Sequence, residues 1–202
     1  MKKILLLAVL ALALPTAVFA GSNVDFSNSG GTLTGSNSGL SLTGSVLFGV
    51  DGLNGGGLIT GSNLGSVSFT TGALSSGSLQ MGGTFAAGGT FSVAGNGSDG
   101  LPNGVIFSGT FSGPVTWTMV TLANGTHNYT LTGTLSGQLE GGSTVQGVTV
   151  QLTINTGKGF FNGATNISSG DTSITTPEPG SLSLMGTGLL GLAGLVRRKL
   201  KA

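Results

Sequence analysis

The 202-residue sequence contains no cysteine and few charged side chains. The absence of cysteine excludes a disulfide scaffold, a thiol nucleophile and thiolate metal ligands. Only 6% of the residues are charged, and the stretch 21–176 has one basic side chain, Lys158, against five carboxylates, which gives that stretch a net charge of −4. A body without a basic patch lacks the electrostatic footprint of nucleic-acid binding. We therefore expect no nucleic-acid partner.

Groups that could perform catalysis are equally scarce. The single histidine, His127, follows the turn signal Asn124-Gly125, where a polar residue needs no catalytic role. A Ser-His-Asp site would require an acid and a hydroxyl placed beside that ring, and the sequence does not indicate either. The five carboxylates are scattered, so no pair can be chosen for glycoside hydrolysis. They are Asp25, Asp51, Asp99, Glu140 and Asp171. We predict no catalytic residue and no enzymatic activity.

One segment resembles a calcium-binding repeat. Residues 95–101 read Gly-Asn-Gly-Ser-Asp-Gly-Leu, which is similar to one copy of the nonapeptide in which consecutive coils share each ion. A single copy would leave the ion short of ligands. The sequence therefore favours an ordinary turn, and we expect neither a metal nor a cofactor.

Alternation of apolar and polar residues is the main feature of the body, and glycine is abundant, with 40 residues in the chain. A period of two predicts strands with one buried face. Four runs show it clearly, and their apolar members are Leu40, Leu42, Val46 and Phe48; Val105, Phe107 and Phe111; Val115, Trp117 and Met119; and Val148, Val150, Leu152 and Ile154. A fifth run places Tyr129, Leu131, Leu135 and Leu139 on one side.

Asn-Gly pairs separate these runs and supply the positive-φ residues of tight turns. They are Asn54-Gly55, Asn96-Gly97, Asn103-Gly104, Asn124-Gly125 and Asn162-Gly163. Glycines within the runs, Gly44, Gly109, Gly133 and Gly137, indicate bulges or close approach of a second backbone. The pattern predicts an all-β, glycine-rich antiparallel meander or sandwich with roughly ten to twelve strands. The Gly-Thr-Phe repeats at 83–85 and 89–91 leave a β-solenoid as the alternative.

The N-terminus has the three zones of a secretory signal peptide. Met1-Lys2-Lys3 is positively charged, residues 4–14 are apolar, and Val18-Phe19-Ala20 suits a signal peptidase. The apolar run is too short to span a bilayer. We predict a signal peptide at 1–20 with cleavage after Ala20, and Ala17 is the second choice.

The C-terminus has a different three-part pattern. Pro177-Glu178-Pro179 favours an extended backbone, which makes a peptide bond there accessible to a protease active site. An apolar stretch follows at 181–196, which as a helix would be about 24 Å long, a little under the roughly 30 Å hydrocarbon core. We expect one transmembrane helix here. The basic residues after it keep this end in the cytoplasm; they are Arg197, Arg198, Lys199 and Lys201.

Residues 176–202 resemble a PEP-CTERM sorting signal, whose triplet, short hydrophobic helix and basic tail occur here in the same order. The resemblance implies recognition by exosortase, a membrane-embedded protease of Gram-negative bacteria, and cleavage near Pro177-Glu178-Pro179. It implies an inner-membrane intermediate followed by transfer to the cell surface or the extracellular space. Such systems accompany exopolysaccharide production and biofilm formation. The resemblance covers only the tail, so the stretch 21–175, which we predict to be one β domain, must be interpreted from its own residues.

Three functions remain open for that domain. The first is a structural protein of the cell surface or extracellular matrix, which associates with exopolysaccharide and with further copies of itself. Its exposed Thr, Ser, Asn and Gly residues suit hydrogen bonding, and its weakly charged edges suit strand pairing. The alternatives are a secreted polysaccharide hydrolase and a carbohydrate-binding or calcium-binding module.

Overall fold

The computed structural model describes residues 23–175, in which the chain forms thirteen β-strands, one short 3₁₀ turn at Leu53–Gly55 and no α-helix. The strands are β1 (Asn23–Ser29), β2 (Thr32–Ser36), β3 (Gly39–Asp51), β4 (Ile59–Thr70), β5 (Leu74–Ser78), β6 (Gly82–Phe85), β7 (Gly88–Asn96), β8 (Asn103–Phe111), β9 (Val115–Thr121), β10 (His127–Leu139), β11 (Thr144–Asn155), β12 (Ala164–Asn166) and β13 (Ser169–Thr175).

Several predicted features lie outside the described residues and stay predictions. They are the signal peptide at 1–20 with its cleavage after Ala20, the transmembrane helix at 181–196, the triplet Pro177-Glu178-Pro179, and the basic residues Arg197, Arg198, Lys199 and Lys201.

The period-two pattern correctly predicts the buried face of β9, of β11 and of most of β10, where Tyr129, Leu131 and Leu135 are buried. On β11 the side chains of Val148, Val150, Leu152 and Ile154 are buried, while the threonines and Gln151 between them face outward. Trp117 of β9 is likewise buried, between exposed threonines. Burial of these aliphatic and aromatic groups supplies the main driving force for the fold.

Pairing of the strands closes the sheet into a barrel, and every pairing is antiparallel. Eight strands form the closed path, in the order β1, β3, β4, β7, β8, β10, β11, β13 and back to β1. A barrel of eight strands has an interior that side chains can just fill. The all-β antiparallel prediction is confirmed, whereas the sequence did not indicate closure, and antiparallel pairing excludes the β-solenoid alternative.

Two short branches leave the closed path. Strand β10 pairs with β11 along one edge, whereas its other edge pairs first with β9 and then with β8. The sheet therefore divides beside β10: β8 continues the barrel, while β9 leads to β6 and β5. The second branch consists of β2 and β12, which extend from the first half of β3.

Two aromatic clusters fill much of the core. Phe69, Phe91, Phe107 and Phe111 form one, with neighbouring ring centroids 5.9–6.3 Å apart. In the other, Trp117 stacks on Tyr129 at 5.0 Å and meets Phe161 edge-on at 5.5 Å.

The polar atoms of the second cluster have partners in the loops. The Trp117 indole N–H donates to the Leu79 carbonyl at 2.9 Å, and the Tyr129 hydroxyl donates to the Gln80 carbonyl at 2.7 Å. The same hydroxyl accepts from the Phe161 backbone N–H at 3.0 Å. These bonds hold the β5–β6 turn and the loop before β12 against the core, because an unpaired buried polar group is costly.

Bulges make the predicted faces of two strands wrong. On β3 the register shifts between Leu42 and Ser45, so Leu47 is buried while Phe48 is 39% exposed. On β8 the extra residue is Ile106, which has no partner on β7; it points inward, and Val105 is 56% exposed. A bulge places two residues opposite one and reverses the alternation beyond it.

The turn predictions are confirmed at two Asn-Gly pairs and wrong at a third. Asn54-Gly55 lies in the connection from β3 to β4, and Asn54 has φ of 53°. Asn124-Gly125 forms the β9–β10 hairpin, where the Gly125 N–H donates to the Leu122 carbonyl at 2.8 Å. Asn103-Gly104 instead begins β8, because Asn103 pairs with Asn96 at the end of β7. The described strands number thirteen, slightly more than the ten to twelve predicted.

Candidate functional site

His127, the only histidine, is held by packing. Its ring is 8% exposed, stacks on Phe160 with centroids 4.4 Å apart, and has Nδ1 3.0 Å from the Thr121 hydroxyl oxygen. Its backbone N–H donates to the Gly157 carbonyl at 2.7 Å, and its carbonyl accepts from Thr156 at 3.1 Å. These contacts give the ring a structural role between the β9–β10 hairpin and the loop after β11.

The segment 95–101, which resembles a calcium-binding repeat, forms the connection between β7 and β8. The Asn96 side chain accepts from the Ser98 N–H at 3.0 Å, and the Leu101 N–H donates to the Ser98 carbonyl at 2.9 Å. Asp99 adopts the left-handed conformation with φ of 53°, which aspartate tolerates in turns. Within residues 23–175, no group of three or more His, Cys, Asp or Glu side chains is placed to hold a metal ion.

Three of the scattered carboxylates come together on the outer side of adjacent strands. Asp25 of β1 lies directly opposite Asp51 of β3. On the other edge of β1, Ser27 lies opposite Asp171 of β13, and Asp25 lies opposite Ser173. Asp171 is therefore a diagonal neighbour of Asp25 across the two strands. The sequence could not reveal this cluster, because it depends on pairing between the first and last described strands.

The pKa of Asp171 is raised above its ordinary value. Desolvation by the surrounding strands is the larger cause, and repulsion from the Asp25 carboxylate adds to it. Hydrogen bonds from the Ser27 hydroxyl, at 3.4 Å, and from the Thr172 backbone act in the opposite direction. Asp171 is therefore harder to ionise in the folded protein than in the unfolded chain.

This raised pKa predicts a pH-dependent effect of Asp171→Asn. A raised carboxyl pKa means that the folded state binds more protons, so stability falls as pH rises from the ordinary aspartate pKa through the folded pKa. The variant should therefore be slightly more stable than the wild type at neutral pH, and by no more than about 0.5 kcal/mol, because Asp171 is exposed and solvent screens its interaction with Asp25. The gain should vanish below about pH 3.5, where the carboxyl is protonated in both states.

Urea midpoints at neutral and acidic pH measure this difference. Glu140→Gln is the matched control, because it also removes one negative charge but lies in the β10–β11 turn, outside the cluster. An equal gain in both variants would assign the effect to net charge and contradict the prediction.

A groove on the outer side of the barrel begins beside this cluster and has a volume of about 390 Å³. It crosses β9, β10, β11 and β13. One row of side chains that lie opposite each other in register lines it, namely Thr116, Thr132, Gln151 and Asp171. A second row consists of Thr134, Thr149 and Ser173, and Pro114, Gly133 and Val150 complete the lining.

The local sequence explains both the composition and the position of this groove. Alternation places valine, leucine and tryptophan inside the barrel and sends the intervening threonines and Gln151 outward. Pro114 stands in the short loop between β8 and β9, where the sheet divides. The lining side chains between Pro114 and Gln151 are small, so a depression remains above the strands.

The outer side carries a further polar row. Ser68, Ser92, Ser108 and Gln138 lie opposite one another on β4, β7, β8 and β10. Near it the hydroxyl oxygens of Thr70 and Thr90 are 3.1 Å apart. Hydroxyl and amide groups at regular strand spacing are therefore a property of two separate parts of the outer surface.

The comparisons with known proteins concern the tail. A family model described as the PEP-CTERM protein-sorting motif matches residues 175–199. The chain carries a PEP-CTERM sorting motif. The resemblance noted for Pro177-Glu178-Pro179 and the following residues is thereby confirmed, and the motif supports export of the chain and its processing by exosortase. No curated protein and no solved structure matches the chain.

Among residues 23–175, no helix is long and apolar enough to cross a lipid bilayer.

Proposed function

We propose that the exported domain is a non-enzymatic structural protein of the bacterial surface or extracellular matrix, where it associates with exopolysaccharide. The observation that carries this proposal is the outer side of the barrel, where hydroxyl and amide side chains form rows across adjacent strands. Threonine, serine and glutamine side chains can each donate and accept hydrogen bonds, as the hydroxyl groups of sugars also do. In this proposal the protein contributes to a biofilm matrix.

The route to that location follows from the two ends of the chain. Signal peptidase cleaves after Ala20, the body crosses the inner membrane of a Gram-negative cell, and the tail holds it there as an intermediate. Exosortase then cuts near Pro177-Glu178-Pro179. The sorting motif supports this order of events.

The proposal includes self-association through strand edges. The branch β9–β6–β5 ends at β5, and the branch β2–β12 ends at β12. Both terminal strands lack proline and charged residues, which are the features that usually protect a free edge from pairing. A second copy of the chain could add a strand at either edge.

A polysaccharide hydrolase is the competing function, because one observation favours it. Asp25 lies between Asp51 and Asp171 on the two neighbouring strands, and the pKa of Asp171 is raised. Glycosidases use a pair of carboxyl groups of which one has a raised pKa. The structural role of the only histidine, in contrast, supports a protein without catalytic groups.

Sedimentation velocity of the mature protein, alone and with polysaccharide from its host, tests the proposal. We expect a concentration-dependent shift for the protein alone, a further shift with polysaccharide, and no new reducing ends after prolonged incubation. Release of reducing ends would establish the hydrolase instead. A protein that sediments as a monomer at every concentration, with or without polysaccharide, would overturn the structural role.

A further inference from the structure

We infer that the groove between Pro114 and Asp171 is the polysaccharide-binding site and that it accepts an uncharged glycan. This inference rests on the proposed association with exopolysaccharide and adds a location and a ligand class to it. The volume of about 390 Å³ lies toward the lower end of the range for ligand sites.

The arrangement of polar groups in the groove suits a chain ligand. The row Thr116, Thr132, Gln151 and Asp171 occupies four consecutive strands, so its members are spaced by about 4.8 Å and the row spans about 14 Å. A ligand lying across the strands would meet a hydrogen-bonding group at each step. The second row, Thr134, Thr149 and Ser173, runs alongside and can contact the other edge of the same chain.

The charges around the groove decide the ligand class. No basic side chain lines it, while Asp171 stands at one end and Asp25 and Asp51 lie on the next strands. A polyuronate would bring its own carboxylates close to Asp25, Asp51 and Asp171, and like charges in close proximity repel each other. An uncharged hexose polymer avoids this repulsion, and its hydroxyl groups can donate to the Asp171 carboxylate.

The groove contains no aromatic side chain, which bears on affinity. Without a ring on which a sugar could stack, binding depends on hydrogen bonds, each of which contributes little net free energy in water. A single groove should therefore bind weakly. Several associated copies would bind the same glycan strongly through avidity.

Co-sedimentation of the mature protein with dextran, laminarin and galactomannan, and in parallel with alginate, tests this assignment. We expect binding to at least one of the three neutral polymers and none to alginate at low salt. The double variant Thr132→Val with Gln151→Leu should weaken the neutral interaction about tenfold, since it removes two hydrogen-bonding groups from the row. Valine keeps the β-branched shape of threonine and so preserves the strand.

The matched control is Thr110→Val with Gln146→Leu, which makes the same two changes at exposed positions of β8 and β11 that lie outside the groove and outside the row Ser68, Ser92, Ser108 and Gln138. Its affinity should equal that of the wild type. If the wild type binds a neutral polymer and the groove variant binds equally well, the assignment to the groove is overturned while the association stands. Alginate binding as strong as neutral binding would overturn the ligand class. If the wild type binds none of the four polymers, the proposed association with polysaccharide itself fails.

Discussion

Replacing Gly137 with alanine is expected to lower the free energy of unfolding by about 3 kcal/mol, a large part of the stability of a single domain. Gly137 of β10 lies directly opposite Gly109 of β8. A Cβ atom at Gly137 would be 2.2 Å from the Ser108 carbonyl oxygen and 2.6 Å from the Gly109 Cα. Both are backbone atoms of a paired strand, so they cannot move aside as the end of a side chain can.

The Phe107 ring makes this position still less tolerant. Its Cζ atom would be 2.9 Å from the added Cβ at Gly137 and 3.0 Å from one at Gly109. The ring thus covers the glycine pair and occupies the space that two side chains would otherwise fill. The close approach also confirms the expectation that these glycines admit a neighbouring backbone.

Gly57→Ala is the matched control for this prediction. No heavy atom lies within 4 Å of a Cβ at Gly57, and its φ is outside the left-handed region. Alanine there should change stability by less than about 1 kcal/mol, with a slight gain from the restricted unfolded chain. Urea unfolding of the mature protein, followed by fluorescence of the single tryptophan, measures both variants. Equal midpoints for Gly137→Ala and the wild type would contradict the packing argument.

Replacement of Pro177, Glu178 and Pro179 by alanine is expected to abolish removal of the tail. The triplet falls within the matched motif at 175–199, and alanines would allow a helix to continue where the prolines favour extended chain. In the wild type, mass spectrometry of the surface protein should find no peptide beyond about Pro179. In the variant, peptides up to Ala202 should persist in the membrane fraction.

Pro102→Ala controls for the loss of a proline as such, because it lies between β7 and β8 and leaves the tail unchanged. This variant should be processed normally. Complete removal of the tail from the triple-alanine protein would show that exosortase does not recognise these three residues.

Local patterns predicted the strands better than they predicted the sheet. Alternation correctly identified the inner faces of β9 and β11, because assigning the faces of a regular strand requires only its own period of two and no knowledge of the partner strand. It was wrong on β3 and β8, where Gly44 and Ile106 sit in bulges that reverse the faces. Gly44, with φ of 68°, lies in the first bulge, as expected for a glycine within a run, whereas nothing in the sequence around Ile106 marks the second bulge.

Closure and the candidate site depend on contacts between distant segments. Thr116, Thr149 and Gln151 stand between apolar residues of their runs, so alternation alone places them on outward faces. That they line one groove with Asp171 requires the pairing of β11 with β13, which no turn signal specifies. The meeting of Asp25 with Asp171 likewise requires β1 to pair with β13. Such pairings depend on how the buried faces of all the strands pack against one another. The pattern of a single strand carries no information about that packing.

The pairing of Asn23 with Thr175 has a consequence for biogenesis. The first strand to leave the translocation channel receives its final neighbour only when the last strand has also crossed the membrane, so the ring of strands cannot be completed during secretion. Because β13 ends at Thr175 and the triplet begins at Pro177, a cut within the triplet removes no residue of that closing pair. Trimming of the tail can therefore follow folding without loosening the finished domain.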